Sequence, residues 1–161
     1  MKNLWAPWRM TYILSNEEEG DCIFCPGNDR GQDKKRLILY AGTLTMVMMN
    51  RFPYNNGHLL VAPVMHVPEL AHLSNDETLD LLLMVRRAID ILKKLMNPEG
   101  FNVGLNLGRV AGAGMEKHMH FHIVPRWNGD TNFMTVFGDV RVIPEHIKET
   151  YGKLRHHFDK L

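Results

Sequence analysis

His118, His120 and His122 alternate with Met119, Phe121 and Ile123 in the stretch KHMHFHIVPRW, residues 117–127. Side chains of an extended strand alternate between faces, so imidazoles spaced by two share one side and the apolar residues take the other. On a helix the same spacing scatters them around the cylinder. Three rings on one face admit three chemistries. Two or three of them can ligate one catalytic metal that keeps an open position. A single neutral imidazole, near its ordinary pKa of ~6.5, can attack an electrophilic phosphorus. Or the rings can form a purely structural hydrogen-bonded ladder. Strict alternation, a glycine-rich loop just before and Pro125-Arg126 just after weigh against the ladder.

Two further groups could do chemistry. Cys22-Ile23-Phe24-Cys25 holds both cysteines of the chain, a spacing suited to a metal or redox pair in a reducing compartment rather than to a disulfide scaffold. A cytoplasmic setting is the default expectation. Gly108, Gly112 and Gly114 let backbone N–H groups come close to a polyphosphate. The loop is not a Walker loop, because Met115-Glu116 stands where Lys-Ser/Thr is required. Lys117, Arg126 and Arg109 flank this region and can offset phosphate charge, Arg by forking onto two oxygens. Each also reads as an ordinary solvated charge.

These groups must be positioned by a fold. A chain of 161 residues, 45% apolar, with formal net charge +1, predicts one compact domain, residues 1–161. No basic run exceeds Lys34–Arg36, so no footprint for a nucleic-acid duplex is visible and a small anionic ligand remains open. The first residues, MKNLWAPWRMTYIL, lack the apolar run of a signal peptide, and no segment reaches the length of a membrane span. Residues 1–20 read as an N-terminal arm, 21–127 as a core and 128–161 as a C-terminal extension.

Within the core, residues 37–40, 44–50 and 57–64 read as an antiparallel meander of strands, with a turn at Ala41-Gly42. Ser74 with Glu77 forms a capping box and Asn97, Pro98 and Gly100 supply a stop, which predicts a helix over 74–96. Its apolar face is expected at Leu79, Leu82, Leu83, Ile89, Leu92 and Met96. Residues 101–107 return as a strand, residues 108–114 form the glycine loop, and the histidine strand follows. FMTVFGDVRVI can close a hairpin at Gly138-Asp139. Pro144 then fits the first turn of a final helix with Ile147, Tyr151, Leu154 and Phe158 at helical spacing. That extension is expected to cover the domain or a partner subunit.

HMHFHIVPRW resembles the signature of the histidine triad (HIT) superfamily of nucleotide hydrolases and transferases, HxHxHxx with apolar residues between. CIFC, NGHLLVAPVMHV and NLG with its glycine loop occur in the order that family uses, which covers residues 21–127. LWAPWRMTYI, MMNRFPYNNGH, GLNLGRVAGAG and PRWNGDTNFMTVFGDVRVIPE look most like the bacterial and archaeal diadenosine tetraphosphate phosphorylase branch. The resemblance implies an α+β fold: a five-stranded antiparallel sheet with one long helix packed on it, plus a C-terminal hairpin and helix. It also implies a homodimer in which two sheets join.

The resemblance assigns roles by position. His120 matches the nucleophile that accepts a nucleotidyl group, and His122 the residue that supports it through the backbone. His58 matches a histidine behind the nucleophile that orders the site. Asn106 matches an asparagine on the phosphate or its bridging oxygen, though it also reads as a turn residue. Asn50 lies where the family hydrogen-bonds the ribose, often with Asp. Ile23, Phe24 and Met48 match the apolar base pocket. Gly112, Gly114, Lys117 and Arg126 are candidate phosphate contacts by residue type and position, not by the resemblance. Met115 departs from the Ser or Thr common in the superfamily, so any hydroxyl contact to phosphate must come from elsewhere. Cys22, Cys25, His66 and His118 match a structural Cys2His2 zinc site with no open position.

The implied partners are a dinucleoside polyphosphate and inorganic phosphate, with diadenosine tetraphosphate cleaved to ATP and ADP. Rival expectations are a HIT hydrolase of dinucleoside polyphosphates or phosphoramidates, a metal-dependent hydrolase using the triad as ligands, and a non-catalytic zinc-stabilised nucleotide-binding module.

Overall fold

A computed structural model describes residues 22–25, 27, 29–130 and 145–161. The expected arm, the hairpin at Gly138-Asp139 and Pro144 lie outside the described residues. Five strands form one sheet: β1 Ile38–Ala41, β2 Thr45–Met49, β3 Leu59–Pro63, β4 Gly100–Leu105 and β5 Phe121–Arg126. Their order is β1-β2-β3-β5-β4 with every pair antiparallel. The expected meander is present. Because β5 slots between β3 and β4, those two run parallel to each other and need a long crossover between them.

That crossover is the helix α2, Asn75–Met96, which follows the short α1, Asp33–Arg36. Ser74 accepts from the Glu77 N–H while Glu77 reaches back to the Ser74 N–H, the reciprocal cap read from sequence. Asn97 closes the helix in the left-handed region at φ 46°, which a short polar side chain tolerates better than most. The buried stripe is Leu81, Met84, Val85, Ala88 and Leu92; of the expected face, Leu92 is in it and Ile89 and Met96 pack against its edge, while the N-terminal part is turned away. Leu79 and Leu82 are 58% and 50% exposed. The helix carries two apolar stripes, and the one holding small Ala88 lies against the sheet.

Two apolar clusters sandwich the sheet. Odd-numbered Val47, Met49, Leu59, Val61 and Ile123 point with α2 into the larger one. Ile38, Met46, Met48, Leu60 and Ala62 point the other way and pack with Phe24. The register sets Ile38, Met48, Leu60, His122 and Gly104 in one row across all five strands. The row carries a triad histidine on the face away from α2.

The histidine strand is shorter than expected. Only His122 lies inside β5; at Met119 the backbone N–H turns to the Val67 carbonyl at 2.8 Å instead of continuing the ladder with β3. His118 and His120 are thereby held on the strand's approach, both buried.

The last helix, α3 Ile147–Phe158, packs against β1 and α2, burying Tyr151, Leu154 and Phe158 in the larger cluster. Tyr151 donates its hydroxyl to the Ile38 carbonyl at 3.0 Å, and Arg155 donates to the same oxygen at 3.0 Å. This helix is thus part of the core. Among the described residues no helix is long and apolar enough to cross a membrane. Phe158 is 1% exposed, so Phe158→Ala is expected to cost about 3–5 kcal/mol in chemical denaturation. Val110→Ala, at a fully exposed position, should stay within about 0.5 kcal/mol.

Candidate active site

The triad rings sit side by side, with His120 and His122 centroids 4.9 Å apart. Their hydrogen-bond partners decide which nitrogen carries the proton on each. His120 Nδ1 lies 3.0 Å from the His118 carbonyl. A carbonyl only accepts, so Nδ1 carries the hydrogen and Nε2 keeps its lone pair. Phe24 stacks on this ring at 4.4 Å and is itself buried. Burial pushes the His120 imidazole below the usual histidine range, and the carbonyl bond offsets part of that push. The ring is therefore neutral at pH 7, with one lone pair oriented by the fold.

His58 and His122 form a second chain. The Tyr54 N–H donates to His58 Nδ1 at 3.0 Å. His58 Nδ1 is thereby an acceptor, its Nε2 carries the hydrogen, and that hydrogen goes to His122 Nδ1 at 3.0 Å. By the same logic His122 Nε2 is a donor. Asn50 sits beside His58, its Nδ2 3.3 Å from Nδ1 and its Oδ1 accepting from the Phe52 N–H at 2.9 Å. Tyr54 stacks nearly parallel to His122 at 5.9 Å. A lone pair on one imidazole thus stands next to a proton donor on another.

The backbone contact on the His120 ring comes from the His118 carbonyl. His58 backs His122. Asn106 follows β4 directly; continuing the Leu105–Phe121 register by one residue sets it opposite His120. Its amide donates to the Gly112 carbonyl at 3.4 Å. Gly108 and Gly112 take φ 79° and 91°, a region L side chains avoid, with a 3-10 turn Arg109–Ala111 between them.

Phe24 and Met48 are buried in the sheet cluster, while Ile23 is 37% exposed. Lys117 and Gly114 are exposed near the loop. Arg126, four residues along β5 from His122 and so roughly 13 Å away, forks onto Asp130 at 2.7 and 2.8 Å and onto Asn102 at 2.9 Å. That carboxylate holds the guanidinium firmly charged. Arg109 approaches Glu116 at 3.9 Å.

On the other side of His118 is a donor cluster. Cys22, Cys25, His66 and His118 bring one ligand atom each within 4.8 Å of one another. Cys22 Sγ lies 3.2 Å from His118 Nδ1, and Cys25 Sγ lies 3.2 Å from His66 Nδ1 and 3.8 Å from His118 Nδ1. A tetrahedral ion with Zn–S near 2.3 Å and Zn–N near 2.0–2.1 Å holds such atoms roughly 3.3–3.8 Å apart, so the donor set fits. His118 Nε2 donates to the Pro63 carbonyl at 2.8 Å, which leaves Nδ1 as the lone-pair nitrogen facing both thiols. Burial, set against that carbonyl bond, holds the His118 imidazole below the usual range, and His66 and His120 push the same way.

Three contributors were missed by sequence reasoning. Arg36 donates to the Ile23 and Cys25 carbonyls at 2.9 and 2.7 Å and so braces the CxxC turn; in sequence it is one charge of a basic triplet. The Tyr54 N–H and the Pro63 carbonyl act through the backbone, which carries no residue-type signal.

The HIT domain family model matches residues 31–129. The chain is 37% identical to an AP-4-A phosphorylase of Mycobacterium tuberculosis, over 93% of this chain and 80% of that protein. It is 32% identical to the adenosine 5'-monophosphoramidase hnt1 of Schizosaccharomyces pombe, over 79% of this chain and 90% of that one. Among solved structures, a hypothetical histidine triad nucleotide-binding protein, ST2152 of Sulfolobus tokodaii, superposes with a TM-score of 0.64 at 25% identity, covering 87% of this chain and 93% of that one. With the sheet order, the three aligned imidazoles and these likenesses in agreement, the chain belongs to the HIT domain family.

Proposed function

We propose that the protein is a nucleotidyltransferase that cleaves diadenosine tetraphosphate with inorganic phosphate to ATP and ADP. The observation that carries the reading is the His120 ring, whose Nδ1 is tied to the His118 carbonyl so that Nε2 presents its lone pair. In the first step Nε2 attacks the phosphorus next to one adenosine. The bond from that phosphorus to its bridging oxygen breaks, and ATP leaves. His122 Nε2–H, backed by His58, donates a hydrogen bond to oxygen as charge builds there. In the second step a phosphate oxygen attacks the same phosphorus, the P–N bond breaks, and ADP departs with the lone pair restored to His120.

Asn106 and the backbone N–H groups near Gly112 and Gly114 receive the polyphosphate, and Asn50 the ribose. Ile23 offers exposed apolar surface for a base, beside the buried Phe24 and Met48. Lys117 is the solvated cation nearest the triad in sequence. Arg126, committed to Asp130 and Asn102, serves to hold the end of β5. The 37% identity to a protein named AP-4-A phosphorylase favours phosphate as acceptor. The 32% identity to a monophosphoramidase favours a second reading, in which water completes the reaction and AMP is released.

Zinc, held by Cys22, Cys25, His66 and His118, is the metal that this donor set suits, in a structural role. Through these four ligands it would tie together three segments: the CxxC turn, the segment after β3 and the approach to the triad. Free thiols there fit a reducing, cytoplasmic setting. A homodimer would join through the edge of β4, whose Asn102, Val103 and Gly104 are exposed.

Incubation with diadenosine tetraphosphate and phosphate should yield ATP and ADP, and omission of phosphate should leave a nucleotide-sized mass on His120. His120→Ala should lower turnover by more than about 10³-fold; full activity in that variant sinks the mechanism, and AMP in place of ADP selects the hydrolase. Purified protein should carry one zinc per chain by elemental analysis. Cys25→Ser should lose it with more than about 3 kcal/mol of stability, a fall of roughly 6–12 °C in Tm at about 2–4 °C per kcal/mol; unchanged melting rules out the structural role. Sedimentation equilibrium at micromolar concentration should give twice the chain mass of 18.6 kDa, and a monomer there removes the dimer.

A further inference from the structure

A cleft of about 540 Å³ lies between α1, the segment after β2 and the start of α3. Neither the triad, His58, the glycine loop nor the Cys/His cluster contributes to its lining. Its rim carries Lys34, Lys35, Arg51 and Lys148. These four cations come from three separate segments, so their convergence is a product of the tertiary fold rather than of one charged helix face. Like charges brought together repel, a cost that an anion between them removes.

Among the described residues, the nearby carboxylates are engaged elsewhere or do not line the cleft. Among the described residues, none of the three lysines enters an ion pair, and Arg51 donates only to the Lys35 carbonyl at 3.2 Å. Asp33, the carboxylate of α1, is buried and answered by Arg30 at 2.7 Å and Arg155 at 3.5 Å. Glu149 follows Lys148 without lining the cleft. The first turn of the twelve-residue α3 adds the partial positive charge of its end to the same side. Beneath the rim lie Leu37, Ile147 and Tyr151. The Tyr151 hydroxyl is spent on the Ile38 carbonyl, so what it offers is its ring.

We infer that this cleft is a second, non-catalytic site for a small polyphosphate anion, its phosphates set among Arg51 and the three lysines. A nucleoside carried by that anion lies over Leu37, Ile147 and Tyr151. The walls bear on the loop that aims His58. Arg51 follows Asn50, which sits beside His58. Lys148 shares the first turns of α3 with Thr150, whose hydroxyl lies 3.2 Å from Asn56 Oδ1 and donates to Glu145 at 2.7 Å. An anion bridging Arg51 and Lys148 therefore clamps residues 50–58 to α3.

The test is an amide-resolved NMR titration of the full chain with tripolyphosphate, ATP and adenosine in parallel. With tripolyphosphate, amides of residues 31–37, 51 and 147–151 should shift and saturate. The variant carrying Lys34→Gln, Lys35→Gln, Arg51→Gln and Lys148→Gln, all at exposed positions, should bind there more than about tenfold more weakly, while shifts near residues 108–114 persist. ATP tighter than tripolyphosphate identifies a nucleoside phosphate as the occupant; equal affinity identifies bare polyphosphate. Shifts confined to the glycine loop and triad, cleft shifts unchanged in the variant, or adenosine acting as strongly as ATP would each overturn the site. Arg51→Gln alone should already weaken cleft binding, so the inference does not hang on one variant's folding. Binding is read without turnover, so failure here leaves the proposed reaction untouched.

Discussion

His118 is the joint on which the site depends. Its Nε2–H is held by the Pro63 carbonyl at the end of β3, its Nδ1 lone pair faces both cysteines, and its own carbonyl holds the proton on His120 Nδ1. One buried residue thus couples the sheet, the cysteine cluster and the orientation of the next imidazole. A neutral imidazole buried without partners leaves two polar nitrogens unsatisfied, at a cost of about 1–3 kcal/mol each. Here every contact that removes the cost also selects a tautomer.

The same economy runs through the second pair. His58 is fully buried and must satisfy both nitrogens. The Tyr54 N–H takes one and His122 the other, so burial of His58 fixes the proton on the exposed side of His122. Desolvation keeps His118 and His120 neutral while hydrogen bonds orient them. A charged imidazole in either place would have no lone pair to offer a metal or a phosphorus.

The C-terminal helix is bound into this arrangement rather than added to it. Its apolar stripe completes the larger cluster, Tyr151 and Arg155 share the Ile38 carbonyl, and Thr150 reaches Asn56 in the loop that carries His58. Gly57 in that loop has φ 75°, and an added Cβ would come within 2.6 Å of Met96 Sδ. The loop is therefore fitted between two helices.

Local chemistry was legible in the chain because it depends on neighbours in sequence. Alternation of His118, His120 and His122, the CxxC spacing, the Ser74-Glu77 cap and the Asn97 stop each follow from a few adjacent residues, and the structure keeps them. Five strands and a long helix were also readable, with ends off by a residue or two except at the histidine strand, which begins only at Phe121. Other choices are made between elements. Which apolar residues of α2 face the sheet depends on the surface the helix meets, which apolar counts along the helix do not encode. That His122 answers to His58 while His120 answers to a carbonyl arises because β5 slots beside β3 and its approach is pulled to Val67. The sequence by itself determined which residues have the chemistry; only the tertiary structure decided which nitrogen holds each proton, because that depends on partners up to 64 residues away in the chain.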